Sequence, residues 1–124
     1  MFLFQLESGG PGTERALDCG AGIGRVTKFL LQKFFSKVDL VEQDKGFLSQ
    51  APEYLAGSQK VGEMFCSGKD TLCNVLERNE NGFIAGLQDF TPKEGLYDVI
   101  WCQWVLGHLT EQDLVDFFKR CAYV

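Results

Sequence analysis

A glycine-rich segment at residues 18–25 constrains this chain more than any other feature of its sequence. The segment reads DCGAGIGR and lies between a short apolar run and a helix-like stretch at 26–31, so it predicts a turn from a strand into a helix. Glycines at such a turn let the backbone approach a ligand and let the helix pack close to the strand. The alternative is an ordinary glycine turn, because such motifs recur by chance.

The spacing of these glycines favours a cationic ligand over a dinucleotide. Dinucleotide enzymes use G-x-G-x-x-G to hold a pyrophosphate, whereas this chain has G-x-G-x-G with Asp18 two residues before Gly20. An anion there repels phosphates and suits the sulfonium and amino groups of S-adenosyl-L-methionine. Arg25, on the first helical turn, is placed to meet the carboxylate of that cofactor. The segment therefore predicts methyl transfer rather than nicotinamide-dependent hydride transfer.

A second candidate cofactor-binding segment is found at residues 37–42. It reads KVDLVE and predicts a strand that ends in an acid. Glu42 lies 18 residues after Gly24. In a βαβ unit a carboxylate at about this distance accepts hydrogen bonds from ribose hydroxyls. The alternative is a surface glutamate that closes the strand.

Length and composition limit the possible classes. A chain of 124 residues, 45% hydrophobic and 23% charged, is expected to form one globular unit. No apolar run is long enough for a membrane span and the opening residues lack a signal peptide's basic start, so we expect a soluble, intracellular protein. The five cysteines are scattered and form no C-x-x-C pair, which argues against disulfides and zinc. The net charge of -5 disfavours nucleic-acid binding and permits a cationic peptide partner.

Alternating strand and helix signals predict an α/β fold with a parallel, doubly wound sheet. We expect strands at 15–19, 38–41, 61–66 and 97–102, and helices at 24–35, 47–55 and from Thr110 to about 121. Residues 1–12 are expected to be an N-terminal remnant and linker, and residues 13–124 a partial domain with a loop insert near 68–85. With four strands only, the central strand would be left as a bare edge, so we expect an incomplete sheet.

Three segments resemble the eukaryotic protein α-N-terminal methyltransferases. They read LDCGAGIGR at 17–25, GLQDFTP at 86–92 and YDVIWCQWVLGHLT at 97–110. The first segment alone indicates only the class I methyltransferases, whereas the third is close to diagnostic. The resemblance implies a Rossmann-like sheet with about four of the usual seven strands. It also implies transfer of a methyl group from S-adenosyl-L-methionine to the α-amino group of proteins that begin X-Pro-Lys or similar, in the nucleus and cytoplasm.

The resemblance further implies roles for individual residues. The cofactor contacts that it implies are Gly20 and Arg25 for the methionine part, Glu42 and Gln43 for the ribose, Leu87 and Gln88 for the adenine, and Gln103. The family has Asp at the position of Glu42, which is a conservative difference. Trp104 and His108 match residues of the peptide channel.

His108, the only histidine, suits the chemistry of that family. An α-amino group has a pKa of about 8 and cannot attack a methyl group while protonated, so a base near neutrality assists the reaction. The alternatives are a structural hydrogen-bonding role for His108, a core position for Trp104, and solvated loop positions for Gln88 and Gln103. Cys19, Cys66 and Cys102 are expected to be small buried hydrophobic residues.

Two departures from the family raise alternatives. About 18 extra residues near 68–85 interrupt a segment that is nearly continuous in the family, and they begin beside the expected adenine pocket. Segments that hold the substrate N-terminus in the family are also missing, so we expect a half-built site. One alternative is therefore a catalytically inactive variant that binds cofactor or a partner. Another is a small-molecule methyltransferase, which would require the match at 103–110 to be accidental.

Overall fold

The computed structural model describes residues 2–5, 12–66, 87, 90–103 and 105–122, with the side chains of residues 2–5, 65, 66 and 108 excepted. The insert predicted near 68–85 lies outside the described residues, and so do Gln88 and Trp104. Everything below refers to the described part of the chain.

A five-stranded sheet organises the structure. Its strands are β1 (Phe2–Gln5), β2 (Arg15–Cys19), β3 (Lys37–Glu42), β4 (Val61–Cys66) and β5 (Val99–Cys102). Their order is β1-β5-β2-β3-β4, and the pairs β5–β2, β2–β3 and β3–β4 are parallel. The four parallel strands are those predicted from the sequence, with bounds that differ by no more than two residues, so the parallel sheet is confirmed.

The prediction of a bare central edge is wrong. Strand β1 pairs antiparallel with β5, from Phe2 opposite Cys102 to Gln5 opposite Val99, in a segment that we expected to be a linker. An uncovered β5 would present a row of unpaired N–H and C=O groups, and the short apolar sequence FLFQ favours pairing with it. Within the described residues the sheet thus has five strands, and β1 is the antiparallel one.

Helices cover both faces of the sheet. The first helix begins at Arg25, is π-helical over Thr27–Leu31 and ends with the α-helical turn α1 (Gln32–Phe34). It is followed by α2 (Lys45–Tyr54) and α3 (Glu111–Ala122), which match the predicted helices within two residues. Thr110 begins α3 as expected, because its Oγ1 accepts a hydrogen bond from the Asp113 backbone N–H at 3.2 Å.

Side chains that alternate along the strands pack on the two faces of the sheet. Ala16 packs with Leu31 and Phe35 under the first helix, whereas Leu17 packs with Ile100 and Phe117 under α3. Phe34, by contrast, is 61% exposed. Leu31 and Phe35 already occupy the side of that helix that faces the sheet.

Cysteine side chains in the described part are buried and unpaired by disulfides, as expected for Cys19 and Cys102, and Cys121 is buried as well. A hydrogen bond with Cys102, together with burial, raises the pKa of Cys19, and burial raises the pKa of Cys121 to about 12. The thiols of Cys19 and Cys121 therefore resist ionisation and are poor nucleophiles. Among the described helices there is none with the length and apolar character needed to cross a membrane.

Candidate cofactor site

The glycine loop lies where four parallel strands end. The backbone N–H groups of Gly20 and Ala21 both donate to the carbonyl oxygen of Val41, at 2.8 and 3.0 Å, which ties the loop to the end of β3. Gly20, Gly22 and Gly24 all have positive φ, with values of 70°, 58° and 94°. The sharp turn therefore needs residues that tolerate the left-handed region of φ.

Two of these glycines also satisfy packing constraints. A Cβ atom on Gly24 would lie 2.7 Å from Leu55 Cδ1 and 3.2 Å from Leu40 Cδ2, so the close approach of these side chains leaves no room for one. A Cβ atom on Gly20 would lie 2.7 Å from Val105. Of the three glycines, only Gly22 has open space where a Cβ atom would lie.

A cavity of about 450 Å³ opens above this loop at the carboxyl edge of the sheet. It brings together three of the predicted cofactor residues, Gly20, Arg25 and Gln103. Asp18 and Phe47 are also among the residues that line it. Phe47 is 51% exposed and sits on the first turn of α2, and sequence reasoning did not select it because a lone aromatic in an amphipathic helix resembles a core residue.

Asp18 is the buried anion of the cavity. Only 2% of it is exposed, and its Oδ2 accepts a hydrogen bond from Thr27 Oγ1 at 2.7 Å. Burial raises the pKa of the Asp18 carboxyl from 3.8 to about 6, although hydrogen bonds from Thr27 oppose the rise. At neutral pH the carboxylate is therefore charged and little hydrated, and it attracts a cationic group strongly.

Glu42 ends β3 as predicted, but its carboxylate is turned towards the backbone. Oε2 accepts from the Gly22 N–H at 2.7 Å, and Oε1 accepts from the Asp44 N–H at 2.9 Å. Glu42 is buried and is not among the residues that line the cavity. It thus joins the glycine loop to the start of α2, where Asp44 caps the helix through the Phe47 N–H at 3.0 Å. Each carboxylate oxygen retains a second lone pair for a ligand hydroxyl.

The remaining predicted residues are placed differently. Gln43 is exposed after β3, and Leu87 is buried in the core under α3, where its carbonyl oxygen accepts from Arg120 Nη2 at 2.7 Å. Neither lines the cavity. The backbone of His108 belongs to a 3₁₀ turn, Leu106–His108, just beyond β5, while its side chain lies outside the described part.

No cluster of three or more His, Cys, Asp or Glu side chains suited to a metal ion is found within the described ranges. The charged side chains at the cavity are instead one anion, Asp18, and one cation, Arg25. A zwitterionic ligand with an additional positive charge matches this arrangement.

Comparison with known families gives a match over nearly the whole chain. The family model described as AdoMet dependent proline di-methyltransferase matches residues 2–124. The N-terminal Xaa-Pro-Lys N-methyltransferase 1 of Xenopus tropicalis is 48% identical over 122 residues, which cover 98% of this chain and 46% of the frog protein. Its Homo sapiens counterpart is 49% identical over 110 residues, which cover 89% of this chain and 42% of the human protein. The chain thus spans less than half the length of these relatives.

Solved structures agree with the sequence comparison. A SAM-dependent methyltransferase from Leishmania major superposes with a TM-score of 0.73 at 39% identity, covering 94% of this chain and 39% of that one. A Haemonchus contortus phosphoethanolamine N-methyltransferase, solved with S-adenosylhomocysteine, has a TM-score of 0.68 at 16% identity, covering 94% of this chain and 21% of that one. The second similarity shows the fold alone, which is the Rossmann-like fold of class I methyltransferases.

Proposed function

Because the chain belongs to the family of AdoMet-dependent proline dimethyltransferases, we propose that it binds S-adenosyl-L-methionine and methylates the α-amino group of proteins that begin X-Pro-Lys. The observation that carries the proposal is the cavity above the glycine loop, with a buried acid and a neighbouring arginine. The nuclear and cytoplasmic location implied by the resemblance is part of the same proposal.

The residues of the cavity fit this cofactor. Its volume of about 450 Å³ lies in the range of small-molecule sites. Asp18 offers an anion for the cofactor's positive charge, and Arg25 offers a planar cation for its carboxylate. When bound, S-adenosyl-L-methionine supplies a methyl group on a positively charged sulfur.

Other cofactor contacts belong to the same proposal. Gln103 lines the cavity beyond β5, and its Oε1 accepts from Trp101 Nε1 at 3.2 Å, which orients the amide. We assign the ribose to Glu42, which ends β3, and to Gln43, which follows it. The assignment of Leu87 and Gln88 to the adenine is supported by the resemblance alone.

The acceptor side of the reaction is assigned to the segment after β5. We place His108 as the base that takes the proton of the α-amino group, and Trp104 in the peptide channel. Both follow a strand whose carboxyl end borders the cavity through Gln103. Ligands of open parallel sheets bind at this edge, which supports the placement.

Calorimetry with S-adenosyl-L-methionine, followed by methylation of an X-Pro-Lys peptide and of a small amine, tests the proposal. We expect the 124-residue chain to bind the cofactor and to methylate only the peptide, with methylation lost in His108→Ala while cofactor binding is kept. Binding without methylation would identify a cofactor-binding member of the family without turnover. Absence of cofactor binding by a folded chain would refute the proposal.

The affinity for the cofactor is expected to depend on pH through Asp18. A cationic ligand favours the charged carboxylate, so binding below its pKa of about 6 must displace a proton. We expect the dissociation constant to rise about tenfold per pH unit below about pH 6 and to level off above it. Calorimetry between pH 5 and pH 8 measures this change. The variant Asp18→Asn should bind more weakly and without this pH dependence, and a flat profile in the unmodified chain would contradict the assignment.

A further inference from the structure

Thr27 contacts the Asp18 carboxylate and is not among the residues that line the cavity. It is fully buried on the first helix, faces the sheet and donates its hydroxyl to Asp18 Oδ2 at 2.7 Å. Its backbone also hydrogen-bonds Asp18. Thr27 begins the π-helical segment Thr27–Leu31, and a local π-turn of this kind is common where a helix serves a site.

We propose that Thr27 is a positioning residue of the cofactor site, whose hydroxyl stabilises the charged form of the Asp18 carboxylate by donating a hydrogen bond to it. This inference rests on the proposed function, because it concerns the anion assigned to the cationic cofactor. The direction of the hydroxyl is restricted, because threonine has few χ1 rotamers and this side chain is fully buried. It therefore holds one oxygen of a carboxylate that lines the cavity.

The charged neighbours of Asp18 explain why such a donor is needed. Burial and the charge of Glu42, on β3, both favour the neutral form of Asp18. Arg25 lines the same cavity from the start of the first helix, and Gln103, from beyond β5, carries no charge. The buried thiol of Cys19 follows Asp18 on β2. Thr27 thus supplies the hydrogen bonds that oppose the desolvation of Asp18.

The variant Thr27→Val removes the hydroxyl and keeps the shape and the backbone N–H. We expect it to raise the pKa of Asp18 by roughly one to two pH units, because a hydrogen bond to the charged form is lost. The ratio of cofactor dissociation constants, variant over unmodified chain, should then be close to one above about pH 8.5 and reach roughly tenfold at about pH 6. Taking this ratio at each pH cancels the titration of the ligand itself.

Two controls separate positioning from packing. Thr27→Ser keeps the hydroxyl and should follow the unmodified chain at every pH. Thr110→Val removes another threonine hydroxyl bonded to a carboxylate, Asp113 Oδ2 at 2.8 Å, but outside the cavity. It should lower stability through the lost helix cap and leave the ratio near one at all pH values.

Calorimetry from pH 5.5 to pH 9, with ¹³C NMR titration of Asp18 in the ligand-free chain, tests the proposal. A ratio that does not change with pH, or a Thr27→Ser variant as weak as Thr27→Val, would overturn it. If the unmodified chain binds no cofactor, the proposed function fails, but the NMR titration still decides the role of Thr27. An Asp18 pKa that is the same in Thr27→Val and the unmodified chain would refute that role.

Discussion

Replacing Gly20 by alanine is expected to lower the free energy of unfolding by about 2–5 kcal/mol and to abolish cofactor binding. Gly20 has a φ of +70°, which costs an alanine about 1–2 kcal/mol. The added Cβ would also lie 2.7 Å from the Cβ and Cγ2 atoms of Val105, beyond β5. The glycine loop or Val105 must move, and the loop lines the cavity. Urea unfolding and calorimetry measure the two effects.

Gly95→Ala provides a matched control for backbone strain. Gly95 has a φ of +68°, and a Cβ there would meet nothing within 4 Å, so it carries the conformational cost without the collision. We expect a loss of about 1–2 kcal/mol and unchanged cofactor binding. The double variant Gly20→Ala/Val105→Ala should recover part of the stability lost in Gly20→Ala. Equal losses in Gly20→Ala and Gly95→Ala, with binding intact in both, would show that the contact with Val105 is unimportant.

The sequence was sufficient for the features that depend on local pattern. Apolar runs, glycines and caps gave four parallel strands, three helices and the loop between β2 and the first helix. The role of Asp18 as an anion beside the ligand was also predicted, because it follows from the position of Asp18 two residues before Gly20. These features are encoded over a few residues, so no knowledge of distant contacts is required.

Features that depend on distant pairing were missed. Strand β1 was missed because four residues predict little until β5 offers them an edge. The orientation of Glu42 was missed because it depends on the Gly22 N–H, 20 positions away, which only the folded loop brings near. The need for glycine at position 62 was also missed, because a Cβ there would collide with Asp39 Oδ1 on the neighbouring strand.

Asp39 is the clearest case of a distant network, and its replacement by alanine is expected to lower the free energy of unfolding by about 3–5 kcal/mol. Asp39 is fully buried in β3. Arg15 donates to it from Nε and Nη2, both at 2.9 Å, and the Glu63 N–H and Tyr97 hydroxyl donate at 2.7 Å each. The carboxylate thus joins β2, β3, β4 and the residues before β5. Its removal leaves the Glu63 N–H and the Tyr97 hydroxyl without this acceptor.

Graded variants show how the network is coupled to folding. Tyr97 has a raised pKa because of burial and the nearby Asp39 charge, so its hydroxyl remains a donor at any ordinary pH. Tyr97→Phe removes one of the four bonds and should cost about 1.5–3 kcal/mol, as expected for a bond to a charged group. Asp116→Ala, at a surface acid bonded to Gln112 at 3.0 Å, should change stability by less than about 0.5 kcal/mol. Urea unfolding of the three variants ranks their losses of stability. Because a small domain has only about 5–15 kcal/mol of stability, Asp39→Ala should leave little of it. A loss in Asp39→Ala no larger than in Asp116→Ala would mean that the four bonds only offset the desolvation of the buried ion pair.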